Sequence, residues 1–223
     1  MLSQCAEKVN TNLDNDKIGL YNLNGDKIGG GVMNKPYHHG DLRKTLIETG
    51  IEFINKYGEE KLSLREIAAE CGVSNAAPYA HFKGKDDFIN AMQSYVMESF
   101  METLGKCADE CRDDTQILSE LGVCYVMYFY HNPLYFDFLF SRKNIRIRLS
   151  DENNDNPPFE FFRRTAERAL GKMRMPEKDI RYKTLAMWSM VHGLSSISAM
   201  PDIDVDWESE IREIINSVDI SAT

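Results

Sequence analysis

From Asp41 onward the apolar positions recur at helical spacing. Leu42, Leu46, Gly50, Phe53 and Tyr57 form one stripe, widened by Ile47 and Ile54, and predict a first helix that stops near Gly58. Ser63-Leu64-Arg65-Glu66 has the form of a capping box, in which the serine oxygen accepts from the third helical N–H and the glutamate reaches back to the serine N–H. A second helix therefore starts there, with Leu64, Ile67, Ala68 and Cys71 on one face and Gly72 as its left-handed stop. The third helix must begin at Ser74 or Asn75. Pro78 has no N–H, and its ring excludes a helical carbonyl four residues back, so it belongs in the first turn. Phe82-Lys83-Gly84 ends that helix after about two turns. A longer one opens at Lys85, with Phe88, Met92, Tyr95 or Val96, Phe100 and Leu104 on its buried stripe.

Residues 115–131 are apolar nearly all round, as in a helix central to a bundle. Pro133 starts a short segment over Leu134–Phe140, and Asp151–Pro158 reads as a polar loop ended by proline. Helices follow over Phe159–Leu170, Glu177–Ala199 and Trp207–Val218, the last with Trp207, Ile211, Ile214, Ile215 and Val218 on one face. No strand-and-hairpin pattern occurs after residue 40, so the predicted fold is all-α. Residues 1–32 are rich in Asn, Asp and Gly, repeat Asp-Lys-Ile-Gly at 16–19 and 26–29, and read as disordered or only locally folded. The glycines at 29–31, just before Met33, resemble a purine-rich ribosome-binding site translated as protein, which places the expected native start at Met33. The expected organisation is a leader over 1–32, a helix-turn-helix domain over 33–90 and a helical regulatory and dimerisation domain over 91–223.

Composition narrows the class. With 43% apolar and 27% charged residues in 223, the chain has the makings of one or two domains with real cores. No apolar run reaches the roughly 18 residues of a membrane span, and no export signal opens the chain, so a cytoplasmic protein is expected. Cys5, Cys71, Cys107, Cys111 and Cys124 are odd in number and lack CxxC spacing, which reads as free thiols without structural zinc. The net charge of −9 stands against nucleic-acid binding until its distribution is considered. Between Met33 and Ile47 lie Lys35, Arg43 and Lys44 against Asp41 alone, whereas the C-terminal 203–223 carries Asp204, Asp206, Glu208, Glu210, Glu213 and Asp219 against Arg212.

Two short helices joined by Cys71-Gly72-Val73-Ser74 and flanked by supporting helices read as a helix-turn-helix unit, whose second helix enters a DNA major groove. Ala76, Ala77 and Ala80 let the backbone approach the groove floor, and their methyls suit thymine methyls. Asn75 offers an amide to adenine, while Tyr79, His81 and Lys85 are placed for phosphates around the rim. The plainer reading is a short connector helix in an all-α core. Ser63-Leu64-Arg65-Glu66-Ile67-Ala68, Cys71-Gly72-Val73-Ser74 and Tyr79-Ala80-His81-Phe82-Lys83-Gly84-Lys85 together closely resemble the DNA-binding signature of the TetR (tetracycline-repressor) family. The resemblance covers roughly residues 40–90 and implies base and phosphate contacts at Ser63, Arg65, Asn75, Ala76, Tyr79, His81 and Lys85. Ala80 and Cys71 depart from the residues usual in that signature. The Lys35-Pro36-Tyr37-His38-His39-Gly40-Asp41-Leu42-Arg43 arm is either a flexible lead-in or a phosphate-tracking arm using Lys35 and Arg43; His38 and His39 lack identifiable partners for a metal.

Trp188-Ser189-Met190-Val191-His192-Gly193 resembles the motif of a TetR subgroup named for Trp-x-x-x-His-Gly. That resemblance implies that 177–199 and 207–218 pair with a second subunit in a four-helix bundle, and the small Ala186, Gly193, Ser195, Ser196, Ser198 and Ala199 suit close helix approach. A purely intramolecular role for both helices is the alternative. Met127, Tyr128, Phe136, Phe140, Phe162, Met187 and His192 are the candidate inducer-binding residues, with Phe161 and Tyr130 beside them; plain core packing explains the same composition. Cys107 and Cys111, four apart among acids that would raise their pKa, offer little as a thiol sensor. No phosphate loop, HExxH or Gly-x-Ser-x-Gly is present, no cofactor is implied, and an enzyme is not expected. The sequence thus reads as a homodimeric, ligand-released repressor of an inverted-repeat operator. Its rival is a helical protein–protein interaction module that has lost DNA binding.

Overall fold

A computed structural model describes residues 42–113, 116–140, 156–200 and 202–218; the leader and residues 35–41 of the Lys35–Arg43 arm lie outside the described residues. Among the described residues eight α-helices follow one another: α1 Leu42–Tyr57, α2 Leu64–Glu70, α3 Lys85–Glu110, α4 Ile117–His131, α5 Pro133–Phe140, α6 Pro157–Lys172, α7 Glu177–Ser198 and α8 Trp207–Ser217. Two 3-10 turns, Glu59–Lys61 and Ala77–Ala80, complete the order, and no strand occurs among the described residues. The described residues from Arg43 onward form one unit.

The helix ends follow their local chemistry. Ser63 caps α2 by accepting the Glu66 N–H at 3.3 Å, and its hydroxyl donates to Glu66 Oε2 at 2.8 Å. The glutamate thus takes the hydroxyl proton rather than the serine N–H of the expected box. At the other end, Val73 N–H reaches Ala68 O at 2.9 Å and Gly72 N–H reaches Ala69 O at 3.1 Å, a closure that needs Gly72 at φ +67°. Helix α6 begins at Pro157, with Asn156 Oδ1 accepting the Phe159 N–H at 3.0 Å. The expected loop therefore ends earlier, because both prolines fit a first turn whose N–H groups have no intrahelical acceptor.

The apolar stripes have been shifted in places by tertiary packing. In α1 the buried residues are Leu46, Ile47, Gly50 and Ile51, while Tyr57 is exposed beneath the Lys56 ammonium, 4.9 Å from its ring centroid. Of the alternatives on α3, Val96 is buried and Tyr95 only half so. In α8 the core takes Trp207, Ile211 and Ile215, whereas Val218 is exposed. Helix α4 is buried along almost its full length and packs against α3, α5, α6, α7 and α8.

Close approach between α1 and α3 depends on Gly50. A β-carbon there would stand 2.5 Å from Phe88 Cζ and 2.6 Å from Met92 Sδ, whereas one at Gly105 on the same α3 would meet nothing within 4 Å. Gly50→Ala should lower the urea-unfolding free energy by about 1–3 kcal/mol through overpacking. Gly105→Ala should raise it by about 0.4–1 kcal/mol, since it adds helix propensity without a clash.

Candidate nucleic-acid interface and regulatory core

The segment after the α2 turn is a 3-10 turn rather than the short α-helix expected from its sequence. In an α-helix the Ser74 carbonyl would accept from residue 78, but proline has no N–H. Instead Ser74 O accepts from Ala77 N–H at 2.9 Å, Ala76 O from Tyr79 N–H at 3.2 Å, and Pro78 O from both His81 and Phe82 N–H. The ring of Pro78 is also an anchor. It is buried, as is Phe82 at 2% exposure, while Asn75, Ala76, Tyr79, Ala80 and His81 are exposed between and beside them. Phe82 is held from below by the Phe88 ring at 4.7 Å, and the Arg43 guanidinium of α1 lies 5.6 Å from its centroid. Two buried rings thus fix a strip of outward-facing polar and small side chains.

The predicted contact residues divide by what the fold already asks of them. Arg65 is exposed on α2 without a partner among the described residues, and Tyr79 is 53% exposed. Ser63 is committed to its cap. The Lys85 ammonium donates to Glu59 O at 2.7 Å, tying the turn after α1 to the start of α3. A second, longer bond runs to Glu60 O at 3.5 Å, which leaves one N–H to offer to a phosphate. Lys83, which the motif reading passed over, has an exposed side chain, while its N–H is held by Asp87 Oδ2 at 2.8 Å. Electrostatics are local here. Residues 42–92 contain seven Lys and Arg against eight Asp and Glu, yet 71–85 contain no carboxylate beside His81, Lys83 and Lys85.

The body above carries an aromatic cluster around His192. Its ring lies 4.6 Å from Phe140, 5.0 Å from Phe136 and 6.3 Å from Trp188, centroid to centroid, and its Nδ1 is 3.1 Å from the Tyr125 hydroxyl. Burial holds the His192 pKa below the ordinary histidine value and raises that of the Tyr125 phenol. Of the candidate ligand residues, Phe136, Phe140 and His192 therefore meet. Phe162 joins through Trp188, at 6.0 Å between rings. Tyr128 is committed elsewhere, its hydroxyl donating to Val96 O at 3.3 Å on α3, and Met127 and Met187 are buried core. Tyr130 lies 6.5 Å from the Trp207 ring and helps seat α8. Sequence reasoning missed Tyr125 and gave Trp188 no contact, because α4 is apolar on every side and its periodicity does not say which face meets α7.

Short polar links join this body to the first helices. Asn55 of α1 donates to Leu134 O of α5 at 3.1 Å, and Tyr95 of α3 donates to Glu48 Oε1 of α1 at 2.9 Å. Tyr135 of α5 stands edge-on to Tyr95 at 6.5 Å, and burial pushes its phenol pKa up to about 12. Two of the thiols are held by hydrogen bonds: Cys71, at the end of α2, donates to Thr49 Oγ1 at 3.3 Å and Cys107 to Glu120 O at 3.4 Å. No group of three or more metal-ligating side chains occurs among the described residues, and none of the described helices is long and apolar enough to cross a membrane.

These features define a helix-turn-helix protein with a helical body. Residues 46–92 match the family model described as bacterial regulatory proteins, tetR family. The chain is 23% identical over 172 residues to an uncharacterized HTH-type transcriptional regulator of Mycobacterium tuberculosis, covering 74% of each chain. It is 32% identical over 73 residues to the HTH-type nicotine-responsive transcriptional repressor HdnoR of Paenarthrobacter nicotinovorans, which is 33% of this chain and 38% of that one. In fold it is similar to the transcriptional regulator FadR from Bacillus subtilis in complex with stearoyl-CoA, with a TM-score of 0.59 at 15% identity over 78% of this chain and 96% of that one.

Two measurements follow from the site. Arg65→Ala should leave the melting temperature within a degree or so, while Lys85→Ala should lower stability by about 1 kcal/mol through the lost bond to Glu59 O. Because the folded-state pKa of His192 is depressed, its neutral form stabilises the fold above the ordinary histidine value, and that contribution is lost as pH falls below it. Urea midpoints of wild type and His192→Gln, compared at pH 7.5 and 5.5, should show the larger acid-induced drop in the wild type.

Proposed function

We propose that this protein is a homodimeric, ligand-responsive DNA-binding transcriptional regulator, acting as a repressor on an inverted-repeat operator. The observation that carries the reading is the carboxylate-free strip 71–85, held by Pro78 and Phe82 so that Asn75, Ala76, Tyr79 and His81 face outward. Asn75 is the base reader, since its amide can pair with adenine in the major groove. Arg65, Tyr79, His81 and Lys83 serve phosphates, with Lys85 both locking the turn and adding charge. One such strip specifies few bases, which favours two copies roughly 34 Å apart on a palindrome.

The outer face of α7 supports self-association. No Asp, Glu, Lys or Arg occurs between Thr184 and Met200, although Ala186, Ser189, Gly193, Ser196 and Met200 are exposed. A β-carbon at Gly193 would meet nothing within 4 Å, which leaves room for a partner helix. Ser195 and Ser198, expected in the same contact, instead serve the chain's own core: they are buried and bonded to Val191 O and Ser195 O. We also assign the protein to the Trp-x-x-x-His-Gly subgroup, on the support that Trp188 and His192 of the motif meet in one cluster. Helix α5 is the transmitting element of the proposed response. Phe136 and Phe140 touch His192, while Leu134 O and Tyr135 connect to α1 directly and through Tyr95. A ligand that favours the arrangement unfit for DNA would release the operator.

Fluorescence anisotropy with the DNA upstream of the protein's own gene tests the reading at low and moderate salt. Arg65→Ala should weaken binding to all sequences and flatten the log–log salt slope by about 0.9 per lost phosphate contact, whereas Asn75→Ala should erode sequence preference. Absence of binding to that DNA and to any selected palindrome would favour the protein-interaction alternative. Sedimentation should find a dimer, and Gly193→Arg, which has space in the monomer, should yield a folded monomer with at least tenfold weaker operator binding.

A further inference from the structure

The segments at the two ends of α7 carry opposite charge. Residues 168–183, from the end of α6 into the start of α7, hold six Lys and Arg against two Asp and Glu, while residues 202–213 hold six Asp and Glu against Arg212. Arg212 is itself paired with Glu120 of α4. Glu177 and Asp179 suit the N-terminus of a helix, whereas Lys178 and Arg181 oppose its dipole and gain from an anion beyond it. Opposite its buried face, α7 presents one exposed stripe of Lys178, Tyr182, Ala186, Ser189, Gly193, Ser196 and Met200, continued past the helix by Asp204. The spacing of the stripe is the same from either end. An antiparallel copy laid along it therefore sets Ser189 against Gly193, Ala186 against Ser196, Tyr182 against Met200 and Lys178 against Asp204. Tyr182 is 57% exposed and Met200 51%, two large side chains left in water at positions that this pairing joins, and a thioether suits a ring. The Lys178 ammonium already lies along the stripe, 5.6 Å from the Tyr182 ring centroid. Within one chain the 22 residues of α7 hold the two ends about 33 Å apart, so only a second copy brings them together.

We propose that α7 recognises a second copy of this chain antiparallel and by charge: Lys178 and Arg181 of each copy meet Asp202 and Asp204 of the other, on either side of an uncharged centre made by Ala186, Ser189, Gly193 and Ser196. The proposal rests on the reading of the protein as a homodimer, and adds to it a register and a rule of partner choice. Two-fold symmetry makes each contact occur twice. Parallel pairing would set basic end against basic end and acidic against acidic, which is strongly unfavourable. Exposed ion pairs add little affinity each, so the centre supplies the attraction, and the charges fix the orientation and exclude chains whose ends do not match. Two copies with a net charge of −9 repel at a distance, and the matched ends give their approach its one favoured geometry.

Two full-length variants test the pairing by sedimentation: Lys178→Glu with Arg181→Glu, and Asp202→Lys with Asp204→Lys. All four side chains are exposed, so each variant should keep the helical circular dichroism of the wild type. Each alone should dimerise at least about tenfold more weakly than wild type at low salt. Mixed, they should form a heterodimer nearly as tight as the wild-type dimer, because both reversed contacts are then matched. In about 1 M salt, where the Debye length falls to about 3 Å, these differences should shrink. In the wild type, carbodiimide coupling of mixed 14N and 15N chains should join Lys178 of one copy to Asp202 or Asp204 of the other. Variants that dimerise as tightly as wild type, no gain on mixing them, or the absence of that coupling would each overturn the proposal. The coupling requires no variant, so it decides the matter even if a variant fails to fold. A wild type that sediments as a monomer would sink the homodimer reading and this pairing with it, whereas a wild-type dimer without the charge rule would sink the pairing alone. A matched heterodimer that binds no operator would sink the DNA reading alone.

Discussion

Helix α4 has no polar face to offer to water, and this demand for burial organises the molecule. Ten of its fifteen residues, from Ile117 and Leu118 through Tyr125 to Phe129, are buried, and each large side chain so covered contributes about 1.5–3 kcal/mol. The covering is done by α3, α5, α6, α7 and α8. At Gly122 both α7 and α8 press on α4, since a β-carbon there would stand 3.3 Å from both Val191 Cγ1 and Ile215 Cδ1. The same burial puts Tyr125 out of water, and a phenol in that position needs a partner. His192 is that partner, so the cluster around it is a by-product of closing the core.

Helix α3 carries this constraint to the DNA-binding end. Its 26 residues extend about 39 Å. At its start, Phe88 supports Phe82 and Lys85 binds the Glu59 carbonyl; further along, Phe100 packs on Tyr125, Tyr128 and Phe129 of α4. The Tyr128 hydroxyl on Val96 O adds a directional bond between the two helices. Since α5 bonds to α1 and also packs on the His192 cluster, the body is joined to the helix-turn-helix segment through two routes, α3 and α5. The second is short: from Phe136 to Leu134 is less than one helical turn.

Much of this was legible from residue pattern. The all-α class, the helix order, the burial of α4 and the caps at Ser63 and Gly72 follow from periodicity and from the few residues that satisfy helix ends. Local rules failed where tertiary contacts chose between near-equal options, as at Tyr95 against Val96, or Tyr57 against Ile51. Pro78 shows a different limit. Its missing N–H placed the start of a helix at Ser74 or Asn75, whereas the segment is a 3-10 turn over Ala77–Ala80, and burial of the ring makes Pro78 an anchor. Lys85 and Ser63 matched a family pattern and turned out to have structural tasks as well, which residue identity alone does not reveal. The Tyr125–His192 pair, separated by 67 positions, had no local signal.

The central claim is that two copies of the strip 71–85 read a symmetric DNA site. Selection of binding sites from a pool of random duplexes, using the full-length protein at physiological salt, tests it most directly. The account predicts enrichment of an inverted repeat whose half-sites are centred about one helical turn or a small multiple of it apart, with Asn75→Ala relaxing the preference at one matched position in each half. A pool that stays random, or that enriches only a single unpaired site, would contradict it.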